Sequence, residues 1–330
     1  MNKNISIVIP VYNDWLSLTP LVQRIGHVFS SNDYTGELYI IDDHSSLKSS
    51  KFVQECMNIQ EQCTSLSRII QIVLCRNMGH QGAIAIALPY IVTHSDCECV
   101  VIMDADGEDK PEDIPHLISA MERAGNDSII FAKRRRRQEN MVFRAMYSLF
   151  KFLHFLLTGK QMDIGNFSIV PLPCVDALLS YHELWSHYPA TVLKSNLPMI
   201  KIPCDKGLRI DGRSKMSITS LILHGFGSLS VFAPIIGIRM LIMATILMCL
   251  LCAGIICIFA IRLLTYVDLP GWATYTTGLS AILLLQLLSM SLFFIFLILN
   301  GRNPSQHLPK HTFHLFIQDV QILWKTHEDA

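Results

Sequence analysis

The sequence predicts an α/β domain with a mostly parallel sheet, followed by a C-terminal two-helix transmembrane hairpin. Three observations carry this. Short apolar runs alternate with helical patterns through the first 135 residues. Successive runs end at polar clusters, and two charge-free stretches long enough to cross a bilayer lie near the C-terminus.

The apolar runs are Ile5–Ile9, ending at Pro10; Leu38–Ile41, ending at Asp42; Ile69–Leu74, ending at Arg76; Val100–Met103, ending at Asp104; and Ser128–Phe131. Between them Trp15–Phe29, Gln81–Thr93 and Pro111–Arg123 read as helices. Pro111 with Glu112 and Asp113 marks a helix start, because proline loses no hydrogen bond in the first turn and carboxylates face the positive end of the helix dipole. Parallel sheets bind ligands beyond the carboxyl ends of their strands. The clusters Tyr12-Asn13-Asp14, Asp42-Asp43, Arg76-Asn77 and Asp104-Ala105-Asp106 all fall there. Asp and Asn favour turns in any case, but four consecutive polar strand ends exceed what turns need.

Hydrophobic residues make up 51% of the chain and charged residues 16%, where typical globular domains carry about 25% charge. That excludes a disordered chain. The 27 basic and 27 acidic residues cancel, so nothing points to nucleic acid. Charge is unevenly spread, since Arg239, Arg262, Asp268 and Arg302 are the only charged residues from 239 to 302. Met240–Ile261 and Leu269–Gly301 can each span the hydrocarbon layer once. Lys215 and Arg239 precede this hairpin and Arg302 and Lys310 follow it, which predicts cytoplasmic termini. Tyr266, Trp272 and Tyr275 stand where an aromatic belt would lie. Met1–Ile9 does not read as a cleavable signal. Ten dispersed cysteines fit a reducing compartment, and Cys249 and Cys252 form a CxxC only inside the first apolar run. The thirteen histidines form no HExxH.

Asp104 and Asp106 flank a single residue just past a buried strand, with Glu108 and Asp109 behind them. Hard oxygen ligands in this pattern suit Mg²⁺ or Mn²⁺ shared with a nucleotide diphosphate, which bare carboxylates would repel. There is neither a GxGxxG nor a P-loop pattern.

These segments, PVYND at Pro10–Asp14, IDDHS at Ile41–Ser45, RNMG at Arg76–Gly79 and MDADGEDKPE at Met103–Glu112, resemble the successive motifs of family 2 glycosyltransferases. Within that family the sequence is similar to the polyprenyl-phosphate sugar synthases, relatives of dolichol-phosphate mannose synthase and of bactoprenol glucosyltransferases. The likeness continues through Ala132-Lys133-Arg134, DIGNFS at Asp163–Ser168 and RIDGRSKM at Arg209–Met216, and covers about residues 5 to 300. Asp14 stands for the family's usual Glu, His44 for a Gly and Glu108 for a frequent Gln.

The resemblance implies a GT-A (Rossmann-like) nucleotide-sugar domain over residues 1–216, an interfacial helix over 217–238, two transmembrane helices over 239–302 and a cytoplasmic tail over 303–330. It implies inverting transfer of a sugar from a UDP- or GDP-sugar to a polyprenyl phosphate at the cytoplasmic (inner) membrane. Asp104, Asp106 and Glu108 would hold the metal. Pro10, Tyr12, Asp14, Asp42, Asp43, Asn77 and Asp104 would meet the donor. Arg134, Arg144, Ser148, Arg209 and Lys215 would hold the acceptor phosphate, because guanidinium forks match phosphate oxygens. Asp104, Asp106, Arg134 and Arg209 form the expected catalytic set. A lipid phosphate is already ionised at neutral pH, so no strong general base is required. Arg135–Arg137 would face lipid or water. Two other readings are a processive or lipid-modifying membrane glycosyltransferase, although no QxxRW motif occurs, and a catalytically inert membrane scaffold or nucleotide-sugar sensor. A charge-free hairpin could also pack between subunits as a homo-oligomer.

Overall fold

The computed structural model describes residues 3–47, 49–59, 65–134, 141–210, 218–264, 271–300 and 308–325. The chain forms two compact units, one of residues 1–152, 160–231 and 305–330 and the other of residues 153–159 and 232–304.

The first unit is built on one eight-stranded sheet. Its strands are β1 (Lys3–Val11), β2 (Tyr34–Asp42), β3 (Leu66–Leu74), β4 (Cys99–Ile102), β5 (Ile129–Arg134), β6 (Ser168–Pro171), β7 (Met199–Cys204) and β8 (Ile317–Lys325), in the order β7-β5-β6-β4-β1-β2-β3-β8. The first four pair in parallel, whereas β6 runs antiparallel between β4 and β5. All five apolar runs become strands. Ile5, Ile7, Val8 and Ile9 are fully buried, as expected of parallel strands covered on both faces. Gly36 opposes Ile5 in β2, where a Cβ would lie 1.9 Å from the Ile5 carbonyl oxygen, so only glycine permits this pairing.

Helices α1 (Trp15–Ser31), α2 (Ser50–Ile59), α3 (Gly79–His94) and α4 (Ile114–Arg123) connect the strands. On α1 the buried face holds Leu18, Leu21, Val22, Ile25 and Phe29, at helical spacing. Helix α3 has no polar face: Ala83 to Leu88 are all fully buried, and their Ala/Ile alternation suits a helix enclosed on every side. The helix expected from Pro111 begins with a 3-10 turn, Pro111–Asp113, before α4. Further on come α5 (Met141–Thr158), α6 (Leu172–Leu178), α7 (Tyr188–Ser195) and α8 (Ile218–Ser230). Strand order reverses where β1 adjoins β4, and the crevice outside the carboxyl ends there is where such sheets take ligands.

Residues 303–330 carry no motif, yet their described part is integral to the sheet. After the short helix α11 (Pro309–Thr312) and the turn Phe313–Phe316, β8 pairs antiparallel with β3, placing Leu74 opposite Ile317 and Arg68 opposite Lys325. Trp324 is buried in the main core, and Phe313 meets Tyr90 of α3 edge-on.

The second unit contains α9 (Ala233–Leu264) and α10 (Trp272–Asn300), which pack against each other. Ala233–Ile261 and Thr274–Phe296 are long and apolar enough to cross a membrane, and only 6% of the most apolar window of each is buried. Arg239, read from the sequence as the first span's border, lies inside α9. Its guanidinium donates to the Leu156 carbonyl at 2.8 Å, near the C-terminal end of α5, where a cation is favoured.

Candidate active site

The β4 strand delivers the acidic loop to the crevice. Asp104 receives no turn from its own side chain; its backbone N–H instead donates to Asp109 Oδ2 at 3.0 Å. Asp106 Oδ1 accepts from the Glu108 N–H at 2.9 Å, which folds the loop back on itself. Gly107 sits at φ +79° between them, and a Cβ there would collide with Ile210 at 2.5 Å. The segment after β7 lies along this loop: Gly207 N–H donates to Glu108 O at 2.8 Å and Ile210 N–H to Asp106 O at 3.0 Å. That pairing brings basic side chains onto the carboxylates. Arg209 meets Asp106 Oδ2 at 2.6 Å, Lys206 meets Glu108 at 2.9 Å, and Arg134, the last residue of β5, meets Glu108 at 3.3 Å and Asp109 at 3.4 Å.

On the other side stands His80, in the first turn of α3, with Nε2 at 3.2 Å from Asp104 Oδ1. Burial and the Asp104 charge raise the pKa of Asp106 and of Asp109. Asp104 moves the other way: burial would raise it, but His80 and Arg134 lower it. Burial opposes a charge on His80, yet Asp104, Asp109 and Asp43 outweigh it and raise the imidazole pKa. The loop therefore concentrates negative charge that wants a cation. Hard carboxylate oxygens fit Mg²⁺ or Mn²⁺. Among the described residues no group of three or more His, Cys, Asp or Glu side chains is arranged to hold a metal, so an ion here needs oxygens from a ligand or water to complete its shell.

The glycosyl transferase family 2 profile matches residues 6–174, just over half of the chain. The chain belongs to glycosyl transferase family 2. It is 31% identical over 224 residues to undecaprenyl-phosphate 4-deoxy-4-formamido-L-arabinose transferase of Proteus mirabilis (strain HI4320), a match covering 67% of this chain and 65% of that relative. To the enzyme of the same name from Salmonella choleraesuis (strain SC-B67) it is 30% identical over 222 residues, covering 67% and 64%. The chain thus spans slightly less than two thirds of these relatives' length. Among solved structures it is similar to glucosyl-3-phosphoglycerate synthase from Mycobacterium tuberculosis in complex with Mn²⁺, UDP and phosphoglyceric acid, with a TM-score of 0.50, 12% identity and coverage of 71% of this chain and 79% of that one. The fold is GT-A.

In this family 2 domain the expected site residues fall into three groups. Asp104, Asp106, Glu108, Arg134 and Arg209 converge on one loop. Pro10, Tyr12, Asp14, Asp42, Asp43 and Asn77 line the ends of β1, β2 and β3. Tyr12 is exposed, but Pro10, Asp42 and Asp43 are buried. Asp42 accepts from the Ser45 N–H at 2.9 Å and Asp43 from the Met78 N–H at 2.5 Å, so both carboxyls are committed to shaping the loop and the start of α3. His44 adopts φ +58°, a left-handed conformation in which glycine is the least strained residue. Asn77 Oδ1 accepts from the Gly79 N–H at 3.1 Å, and Arg76 lies over the Phe316 ring at 5.9 Å. The third group is Arg144 and Ser148, placed along α5 with Ser148 exposed, and Lys215, which lies outside the described residues, as do Arg135–Arg137.

Sequence reasoning missed His80, Asn166 and the structural part played by Asp109. His80 follows Asn77 by three residues at the same sheet edge, and that proximity was the available signal. Asn166 lies inside the DIGNFS motif and donates toward His80 Nε2 at 3.0 Å.

Proposed function

We propose that this protein transfers a sugar from a nucleotide-sugar donor to a polyprenyl phosphate, with inversion and with a divalent cation, at the cytoplasmic face of a membrane. One observation carries the reading: carboxylates and phosphate-binding cations interlock at the switch point of the sheet, Asp106 with Arg209 and Glu108 and Asp109 with Arg134. Diphosphate with a metal needs the carboxylates, and an anionic acceptor needs the cations. When bound, Mg²⁺ or Mn²⁺ supplies Lewis-acid neutralisation of the leaving diphosphate. Asp104, Asp106 and Glu108 remain the proposed holders, with diphosphate oxygens and water completing the shell, because the three carboxylates are not arranged to hold an ion by themselves. The chain's own groups do the rest. Tyr12, Asp14 and Asn77 line the donor crevice, and Asp42 and Asp43 fix the loops that face base and ribose. Arg209, released from Asp106 as the donor complex forms, turns its fork to the acceptor phosphate beside Arg134, with Arg144, Ser148 and Lys215 as further contacts.

The relatives named as undecaprenyl-phosphate sugar transferases support the acceptor class, and the UDP and Mn²⁺ bound by the solved neighbour agree with the donor and the metal. Two helices with exposed apolar surfaces support anchoring in the bilayer, and the basic residues Lys215, Arg239, Arg302 and Lys310 around them support cytoplasmic termini. Residues 1–216 then form the catalytic domain, 217–238 its juxtamembrane link and 239–302 the anchor, with part of the tail serving the sheet.

Membranes carrying the protein should move label from a UDP- or GDP-sugar to a short-chain prenyl phosphate only when Mg²⁺ or Mn²⁺ is present. Asp106→Ala should abolish the transfer; a fully active variant would sink the metal assignment.

A further inference from the structure

Helix α8 is the last element of the sheet unit before the chain enters α9, and it begins at Ile218, just after Lys215. Ile222, Leu223 and Phe226 are exposed, whereas His224 turns onto His187, the residue that caps α7. Three contacts make the joint between the two helices. Gly227 lies so close to the turn before α7 that a Cβ would stand 3.2 Å from the Ser186 carbonyl oxygen. Lys194 Nζ, near the end of α7, donates to Val231 O at 3.1 Å. The third contact sets His187 Nε2 at 3.2 Å from His224 Nε2, and it admits only one distribution of protons. The backbone N–H of Ala190 can only donate, and it reaches His187 Nδ1 at 3.2 Å. Nδ1 therefore offers a lone pair, and His187 carries its one proton on Nε2. That N–H donates to His224 Nε2, which must be unprotonated to receive it. A proton added to His224 sets N–H against N–H, and a proton added to His187 Nδ1 removes the cap of α7. The contact closes only when both imidazoles are neutral.

We propose that His187 and His224 form a proton-gated latch that seats α8 against α7, which makes His224 a positioning residue for use of the lipid phosphate. The role toward the acceptor rests on the function proposed above, whereas the latch stands on the contact alone. The start of α7 also reaches the site, because the Tyr188 N–H donates to Gln81 Oε1 at 2.6 Å and Gln81 Nε2 to Asn166 Oδ1 at 3.0 Å, beside His80. Several titratable groups bear on His224. His187 of α7 is neutral while it caps the helix. Burial lowers the His224 pKa below its ordinary value of 6.5, a charge on His80 of α3 lowers it further, and Asp104 of the acidic loop opposes them. Glu183, before α7, is paired with Lys194 near its end. A histidine whose pKa is lowered in the docked state favours docking above its ordinary value and loses that contribution as pH falls. Docking should therefore weaken by up to about tenfold per pH unit below about 6.5, until the docked ring takes up the proton.

Hydrogen exchange read by mass spectrometry on the full chain in detergent tests the latch, with rates corrected for the intrinsic effect of pH. Backbone protection of α8 should fall about threefold to tenfold from about pH 7.5 to about pH 5.5. Exchange at the His224 ring carbon between its nitrogens should report a pKa below the ordinary histidine value. His224→Gln supplies an amide oxygen that accepts the His187 N–H at any pH, so α8 protection should no longer follow pH. The acceptor KM for a short-chain prenyl phosphate should rise on acidification more steeply in the wild type than in His224→Gln. Wild-type protection that ignores pH, or an equal response in His224→Gln, overturns the latch. An acceptor KM with the same pH profile in both proteins, while α8 loosens only in the wild type, overturns the positioning role. Absence of transfer to prenyl phosphate at every pH, with α8 loosening as expected, overturns the proposed function and leaves the latch standing. If His224→Gln fails to fold, the wild type still decides, because a His224 pKa at or above the ordinary value overturns the latch.

Discussion

Arg209 holds Asp106 at 2.6 Å, so a residue suited to phosphate guards one suited to metal. Removing it should separate the two roles. Arg209→Ala should leave Mn²⁺–nucleotide affinity unchanged or tighter while kcat/KM for the prenyl phosphate falls by at least about tenfold, the loss expected for one charge-assisted contact of 1.5 kcal/mol or more; an unchanged acceptor kcat and KM would count against its placement. Gly107→Ala would force a side chain into Ile210 at an unfavourable φ, so we expect the acidic loop and the 206–210 segment to part, with activity lost and stability lowered by about 1 kcal/mol or more, read from the unfolding midpoint. Asp163, first residue of DIGNFS, is bonded by Lys133 at 2.6 Å and by Lys201. Burial alone would raise its pKa, but those two ammonium groups outweigh it and the value is lowered. A carboxyl depressed on folding stabilises above its ordinary value of about 3.9 and loses that contribution as pH falls through the folded value. Asp163→Asn should therefore unfold at lower temperature than wild type at pH 7, and the gap should close on acidification below pH 4; a gap constant with pH would remove the pair's role. Asp104, Asp106, Arg134 and Arg209 could be proposed together because each lies in a local motif, and the structure brings them onto one loop. His80 and Asn166 could not be, because what matters is a contact spanning 86 positions.

At the scale of elements, the strands β1 to β5 were readable from apolar runs that stop at polar turns. Two were not. β6 has only four residues and runs against its neighbours, so neither its length nor a parallel strand–helix–strand crossover announces it. β8 has one buried residue, Trp324, in a mostly exposed strand, and its pattern lacks the buried alternation that marks a strand in sequence. Position, not composition, makes it part of the sheet. Trp324→Ala should thus cost about 3–5 kcal/mol, the range for truncating a buried aromatic, measured as a lower unfolding midpoint. A loss below about 1 kcal/mol, the level of a surface substitution, would show that β8 is not anchored through this side chain.

For the molecule as a whole, the low charge fraction has a location: it is confined to α9 and α10, whose Ile242, Leu250, Phe259, Leu285 and Phe296 are exposed in a way water would not tolerate. The membrane reading makes a sharp demand on them. An arginine near the centre of a spanning helix costs about 2.5–3.5 kcal/mol, so Leu250→Arg should shift the protein out of the carbonate-resistant membrane fraction; full retention would argue against a spanning α9. The pairing of β8 with β3 has a consequence in time. About 240 residues, both apolar helices among them, are translated between Leu74 and Ile317, which at 5–20 residues per second takes roughly 12 to 50 s. During that interval β3 is an open edge on a nascent chain, a template for pairing with other chains. On the membrane reading proposed above, the hairpin has to insert before that edge can close, so delayed insertion is expected to appear first as aggregation of the sheet unit.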